Sequence, residues 1–288
     1  MKKVRKAVIP AAGFGTRMLP ATKAIPKEML PIVDKPAIQY IVEEAFASGI
    51  EDILIITSRG KSAIEDHFDR DFLLENALMK PGKEQLLESV LYPTRLGNIS
   101  FIRQQEQKGL GHAVNCARTF VGDEPFAVLY GDDVIMSDDP VTAQLIRAFE
   151  QYGKITLGIK EVSDELIVKY SSLKVQPIGG NLFGVTDMIE KPALEQRFSN
   201  YSILGRVILT PDVFDILQTL PPGANGEIQL TDAMGILTRR NGAVGVDFAG
   251  TRYDMGNKLE MVKAIVETAL CHEEIGDDFR SWLRSCKL

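Results

Sequence analysis

Cysteine, histidine and tryptophan are scarce in this chain of 288 residues: three, three and one. Cys116, Cys271 and Cys286 follow no spacing, which excludes a disulfide framework or a zinc knuckle as the basis of the fold. His67, His112 and His272 lie far apart, so no H-E-x-x-H zinc helix exists, and a Gly-x-Ser-x-Gly elbow is missing too. Hydrolase readings fall with them. No apolar run approaches the ~20 residues that a membrane helix needs. The basic start Met1–Lys6 runs into Ala7-Val8-Ile9-Pro10, too short and Pro-broken for a signal peptide. Positive charge is not in excess: 33 Lys+Arg face 39 Asp+Glu, a net charge of −6. That argues against general affinity for nucleic acid or anionic lipid, but allows a local site for phosphates. A soluble, cytoplasmic protein without nucleic-acid or membrane partners is expected.

What is present is an ordinary globular composition, 45% hydrophobic and 25% charged, without linker, internal repeat or low-complexity tract. The length suits one large α/β domain or two small ones. Ala7–Ala11 reads as a buried strand entering a Gly-rich loop. Ile38, Ile41, Val42, Ala45 and Phe46 recur at helical spacing, which predicts a helix over Pro36–Ser48 with Gly49 as its stop. Strands follow at Ile53–Thr57, Ile99–Arg103 and Phe126–Tyr130, with helices from about His112 and over about Pro140–Tyr152. Such alternation predicts a Rossmann-like α/β fold: a mixed, mostly parallel sheet with helices on both faces.

The second half is less regular. Strands are expected near Ile155–Ile159, Phe183–Ile189 and Ser202–Leu209, around a loop holding Gly179-Gly180-Asn181. Helices are expected near Pro211–Thr219, Gln229–Arg239 and Lys258–Cys271, then a polar amphipathic tail. A single domain over 1–288 is the better reading. Its first half would span about 1–135, a substrate-side lobe about 136–256, and C-terminal helices 257–288.

The densest motif runs Ala11-Ala12-Gly13-Phe14-Gly15-Thr16-Arg17-Met18-Leu19-Pro20, then Pro26-Lys27-Glu28-Met29-Leu30-Pro31. A Gly-rich loop leaving a strand lets backbone N–H groups approach phosphate oxygens, and Arg17 and Lys27 would add fixed positive charge. Taken alone, Gly-x-Gly fits a tight turn with a solvated Arg equally well. The dinucleotide fingerprint needs Gly where Met18 stands, and the P-loop needs Gly where Ile55 precedes Gly60-Lys61-Ser62. Both fail on spacing.

Gly13-x-Gly15-Thr16-Arg17 with Pro26-Lys27 resembles the signature of the nucleoside-diphosphate-sugar pyrophosphorylases. Further matches span nearly the whole chain: Pro20-Ala21-Thr22-Lys23-Ala24, Lys108-Gly109-Leu110-Gly111-His112-Ala113, Gly131-Asp132, Glu190-Lys191-Pro192, Glu227-Ile228-Gln229-Leu230-Thr231-Asp232 and Tyr253-Asp254-x-Gly256. Together they are similar to the bacterial UTP–glucose-1-phosphate uridylyltransferase branch. The resemblance implies UTP and glucose 1-phosphate as substrates, UDP-glucose and pyrophosphate as products, Mg²⁺ as cofactor, and a homodimer or homotetramer.

It also implies roles. Arg17 and Lys27 would hold the triphosphate, and Lys191 the sugar phosphate. Asp132 would be the metal carboxylate, with Asp133 its rival and Asp254 the second ligand. Adjacent side chains in an extended chain point to opposite sides, so Asp132 and Asp133 are not expected to ligate together. Ala12, Gly13, Gly15, Thr16, Glu28, Gln104 and Gly109 would take the nucleotide. Glu190, Gly205 and Ser171 would face the sugar, Ser171 standing where the family commonly has Gly. Val207 stands where Tyr is common, and Glu260 replaces a usual Gly. Gln105 and Gln107 are expected in solvent and His112 in a structural role. The string Glu227–Asp232 suggests only a helix start. Two alternatives stay open: the same chemistry with another pair such as dTTP, and a non-catalytic regulatory subunit that binds sugar nucleotides.

Overall fold

The computed structural model describes residues 2–223 and 226–286. Its strands, in chain order, are β1 (Lys6–Pro10), β2 (Pro31–Ile32), β3 (Lys35–Pro36), β4 (Asp52–Thr57), β5 (Asn98–Arg103), β6 (Phe126–Leu129), β7 (Asp133–Met136), β8 (Thr156–Glu161), β9 (Ser171–Gly179), β10 (Leu182–Glu190), β11 (Tyr201–Leu209), β12 (Ala243–Asp247) and β13 (Thr251–Asp254). Nine of them form one sheet, ordered β5-β4-β1-β6-β11-β8-β12-β10-β9. The β5-β4-β1-β6 half is parallel throughout. β11 enters antiparallel to β6 and β8, and β10 is antiparallel to both β12 and β9. The sheet is therefore mixed, as expected, with its continuous parallel run in the first half and one further parallel pair, β8–β12, in the second.

Alternation along the parallel strands feeds two apolar layers. Ala7 and Ile9 of β1, with Ile53 and Ile55 of β4, join the layer under helix Ala37–Ala47. Val8, Leu54 and Ile56 join the opposite layer, which includes Leu230, Ala233, Met234 and Leu237 of helix Leu230–Asn241. Burying a side chain such as Ile38 or Ile41, both fully enclosed, is worth about 1.5–3 kcal/mol. Helices therefore cover both faces.

The predicted helix over Pro36–Ser48 forms at Ala37–Ala47, with Pro36 at its N-cap and Gly49 at φ 86° just beyond. Three short helices between β4 and β5, Ser62–Phe68, Phe72–Leu78 and Glu84–Leu91, were not legible in the sequence. Phe72 and Leu73 stand exposed in the middle one, which breaks the apolar periodicity, and Asp71 caps it through the amides of Leu73 and Leu74. β9 was also missed, because its outer half is exposed and polar; it pairs with β10 around a turn at Gly180, φ 57°. Arg206, 1% exposed, joins β11 to the first long helix through Glu44 and donates to the Asp133 carbonyl at 3.0 Å. Val207 is buried in the second layer, where a larger side chain would have to be accommodated. Among the described residues, no helix is long and apolar enough to cross a membrane.

Candidate active site

β7 and β13 form a small antiparallel pair in which Asp254 faces Asp133. This pairing brings Asp132 and Asp254 together from distant parts of the chain. Gly131 makes the approach: a Cβ there would lie 2.6 Å from the Pro10 carbonyl oxygen. The Asp132 carbonyl then accepts from the Met255 amide at 2.8 Å.

Two cations converge on the pair. Lys27 Nζ lies 2.5 Å from Asp132 Oδ2. Arg17 Nη1 lies 3.0 Å from Asp254 Oδ2, and its Nη2 lies 3.5 Å from Asp132 Oδ2 and 3.4 Å from Asp254 Oδ1. Burial pushes the Asp132 carboxyl up, but Lys27 and then Arg17 outweigh it and hold it below the usual aspartate range. Burial likewise opposes the Lys27 ammonium, and Asp132 more than offsets that. The motif's Gly256 explains the fit, since a Cβ there would fall 2.3 Å from Arg17 Nη2. Gly256→Ala is expected to push the guanidinium aside and cut kcat/KM about tenfold, with the melting temperature unchanged. Steady-state kinetics beside a thermal melt would check both.

Asp133 turns the other way, to Arg252 Nη2 at 2.5 Å. Burial pushes its carboxyl up to about 6, although Arg252 works against the rise. Arg252 also lies over the Tyr170 ring, 5.2 Å from its centroid, and the Tyr170 carbonyl accepts from the Lys191 amide at 2.8 Å. Lys191 is thereby linked through Tyr170 and Arg252 to Asp133. The Asp132 and Asp254 carboxylates, which share one guanidinium nitrogen, fit magnesium: it takes one or two carboxylates and completes its shell with phosphates and water. Among the described residues no group of three or more His, Cys, Asp or Glu could hold a metal, so the remaining ligands would come from substrate and solvent.

Beside these charges opens a cleft of about 430 Å³, lined among others by Ala12, Gly13, Thr16, Lys27, Gln104 and Gly109. A larger cavity of about 600 Å³ lies near Tyr40, Tyr253 and His272, but none of the converging cations lines it. Charge, not size, picks out the first. Gly15 adopts φ 68° and accepts from the Thr22 hydroxyl at 2.8 Å, which folds the Gly-rich loop onto the Lys27 segment. The Gln104 amide nitrogen lies 3.2 Å from the Gly109 carbonyl and 2.8 Å from His112 Nδ1, so His112 orients a cleft residue. Gly109 has φ 100°, and a Cβ there would lie 2.7 Å from Glu227 Cβ.

That contact supplies a role for the string Glu227–Asp232. Ile228 donates to the Lys108 carbonyl at 2.7 Å, and its own carbonyl accepts from Gly111 at 2.8 Å. Glu227 reaches the cleft, while Thr231 lies near Glu190. The segment thus braces the Gly109 loop. Burial raises the Glu190 carboxyl, and the neighbouring Thr231 opposes that.

Several expectations are corrected. Glu28 is 1% exposed with both oxygens on Lys61, at 2.9 and 2.8 Å, so its carboxylate does not open to the cleft. Gln107 is not merely solvated: its amide donates to the Ala12 carbonyl at 2.7 Å. The Ser171 hydroxyl is spent inside the sheet, 3.3 Å from Ser202 Oγ and accepting from Ile203 N at 3.2 Å, so toward a sugar it offers only backbone. Gly205 answers to packing, since a Cβ there would sit 2.8 Å from the Asp133 side chain. Lys191 is exposed and holds φ 45°, a conformation that costs energy outside glycine and clusters at functional sites. Glu260 lies in the first turn of helix Lys258–Cys271, where Asn257 caps and Lys263 pairs with it. Lys61, Tyr170 and Arg252 had no site role in the sequence reading, although Arg252 directly precedes the motif Tyr253-Asp254-x-Gly256.

Residues 6–269 match the nucleotidyl transferase family. The chain is 52% identical to the UTP–glucose-1-phosphate uridylyltransferase 2 of Staphylococcus saprophyticus subsp. saprophyticus over 288 residues, 100% of each. Among solved structures, the UTP-bound UGPase from Acinetobacter baumannii superposes with a TM-score of 0.91 at 34% identity, over 99% of this chain and 100% of the other. A UDP-glucose pyrophosphorylase complexed with UDP-glucose gives 0.84 at 40% identity, over 91% of this chain and 97% of the other.

Proposed function

The chain belongs to the nucleotidyl transferase family, and from that membership we infer that it transfers a uridylyl group from UTP to glucose 1-phosphate, forming UDP-glucose and releasing pyrophosphate. A phosphate oxygen of glucose 1-phosphate attacks the α-phosphorus of UTP. The new P–O bond forms as the bond to the β-phosphate oxygen breaks, and pyrophosphate departs with that electron pair. The nucleophile is already an anion at neutral pH, so no general base is required.

The barrier is charge. Two unit charges 4 Å apart repel by about 1 kcal/mol in water and about 4 kcal/mol at an effective dielectric of 20. Catalysis then consists of positioning and neutralisation. Lys27 and Arg17, paired with Asp132 and Asp254 beside the cleft, meet the α-phosphate and the departing pyrophosphate respectively. Magnesium held by Asp132 and Asp254 would supply further neutralisation of the phosphates. Lys191 takes the sugar phosphate, and Glu190 accepts from glucose hydroxyls.

On the base side, the amides of Ala12 and Gly13 and the carboxamide of Gln104 meet the uracil edge. A Cβ at Gly13 would meet no protein atom within 4 Å, so this glycine answers to what enters the cleft and not to packing. The nucleotide would occupy the part of the fold within 1–135, the sugar phosphate 136–256. The family reading also carries a homodimer or homotetramer in the cytoplasm, the first of which sedimentation would read.

The observation that carries the proposal is the convergence of Arg17 and Lys27 on Asp132 at the mouth of this cleft. Pyrophosphate release tests it, with UTP, dTTP, GTP and ATP each paired with glucose, galactose and mannose 1-phosphates, with and without EDTA. EDTA-sensitive turnover confined mainly to UTP with glucose 1-phosphate is expected. A different preferred pair would move the substrate. Silence with UDP-glucose still bound would favour a regulatory subunit.

A further inference from the structure

We propose that Lys61 is a positioning residue for the nucleotide, tying the Ala11–Gly13 loop to the Lys27–Glu28 segment so that these two parts of the cleft lining keep a fixed separation. The inference rests on the UTP reading above. Lys61 directly precedes helix Ser62–Phe68, and its side chain is 8% exposed. Its ammonium donates to the Ala11 carbonyl at 2.5 Å and to Glu28 Oε1 and Oε2 at 2.9 and 2.8 Å. An ammonium has three hydrogens to give. Ala11 leads into Ala12 and Gly13, which line the cleft, while Glu28 follows Lys27, which lines it too.

Lys61 itself is not part of the cleft wall, so it acts through these two segments and not on substrate. The loop has few other anchors. Ala11 N donates to the Ile56 carbonyl, and the Gln107 amide donates to the Ala12 carbonyl at 2.7 Å. Among the described residues, the Ala12 and Gly13 amides make no hydrogen bond, which leaves them for a base edge. Their direction therefore depends on the Lys61 and Gln107 bonds to the adjoining carbonyls. Burial raises the Glu28 carboxyl and lowers the Lys61 ammonium, so each charge depends on its partner, as expected of an enclosed pair.

Lys61→Met tests the inference, with KM measured separately for UTP and glucose 1-phosphate. Wild-type turnover is the reference, and its absence would overturn the substrate reading itself. With wild type active, the variant is expected to raise the UTP KM about tenfold while the glucose 1-phosphate KM moves less than about twofold. A role in stability alone would lower the melting temperature and leave the UTP KM in place; that result overturns the proposal. If Lys61→Met does not fold because Glu28 is left unpaired, Lys61→Met with Glu28→Gln removes both charges, and it is compared with Glu28→Gln alone, which keeps the bond to Ala11. A UTP KM in the double variant at least about fivefold above that of Glu28→Gln supports the proposal. Equal values overturn it.

Discussion

Asp132→Asn is expected to lower uridylyl transfer by about 10³-fold, the upper range for loss of one preorganised electrostatic group at a reacting centre. The side chain keeps its shape but loses its charge, so Lys27 Nζ, 2.5 Å away, faces an amide in place of an anion. One of the two carboxylates that would hold magnesium becomes a neutral amide as well. Folding should survive, because the Asp132 carbonyl still accepts from Met255 and the β7–β13 pair is untouched. Circular dichroism and UDP-glucose binding by calorimetry would separate a chemical loss from an unfolded protein. A variant within about threefold of wild type in kcat would remove Asp132 from the mechanism.

Lys191→Ala should divide the two substrates. Loss of a charged hydrogen bond to the sugar phosphate costs about 1.5–3 kcal/mol, or about 10- to 100-fold in the KM for glucose 1-phosphate. The UTP KM should hold, since Lys191 lies outside the nucleotide cleft. The backbone complicates the comparison, because φ 45° is strained for alanine as it is for lysine. Lys191→Gly relieves that strain while removing the same charge, so both variants should show the same kinetic division. Equal losses for both substrates would reject the assignment.

The expectation for Glu28 failed for a reason with wider reach. Its place in Pro26-Lys27-Glu28 suggests a surface that meets the base, yet the neighbouring lysine and not the glutamate lines the cleft. The turn Lys27–Met29 points successive side chains in different directions, and only the fold decides which one faces ligand. Ser171 shows the same limit, for its hydroxyl was absorbed by β11.

From residues alone came the helix at Ala37–Ala47, the parallel strands β1, β4, β5 and β6, and the cationic Gly-rich loop. These rest on local periodicity, turn chemistry and short motifs, which the chain carries wherever it is read. The tertiary structure alone decided that Asp132 and Asp254 share Arg17, that Asp133 belongs to Arg252, and that Glu227–Asp232 braces the Gly109 loop. It likewise placed Lys61 beneath the cradle, a lysine legible in sequence only as part of a failed P-loop. Such contacts join segments far apart in the chain. Their geometry depends on strand order and register, and no local pattern encodes which distant carboxylate a given cation will meet.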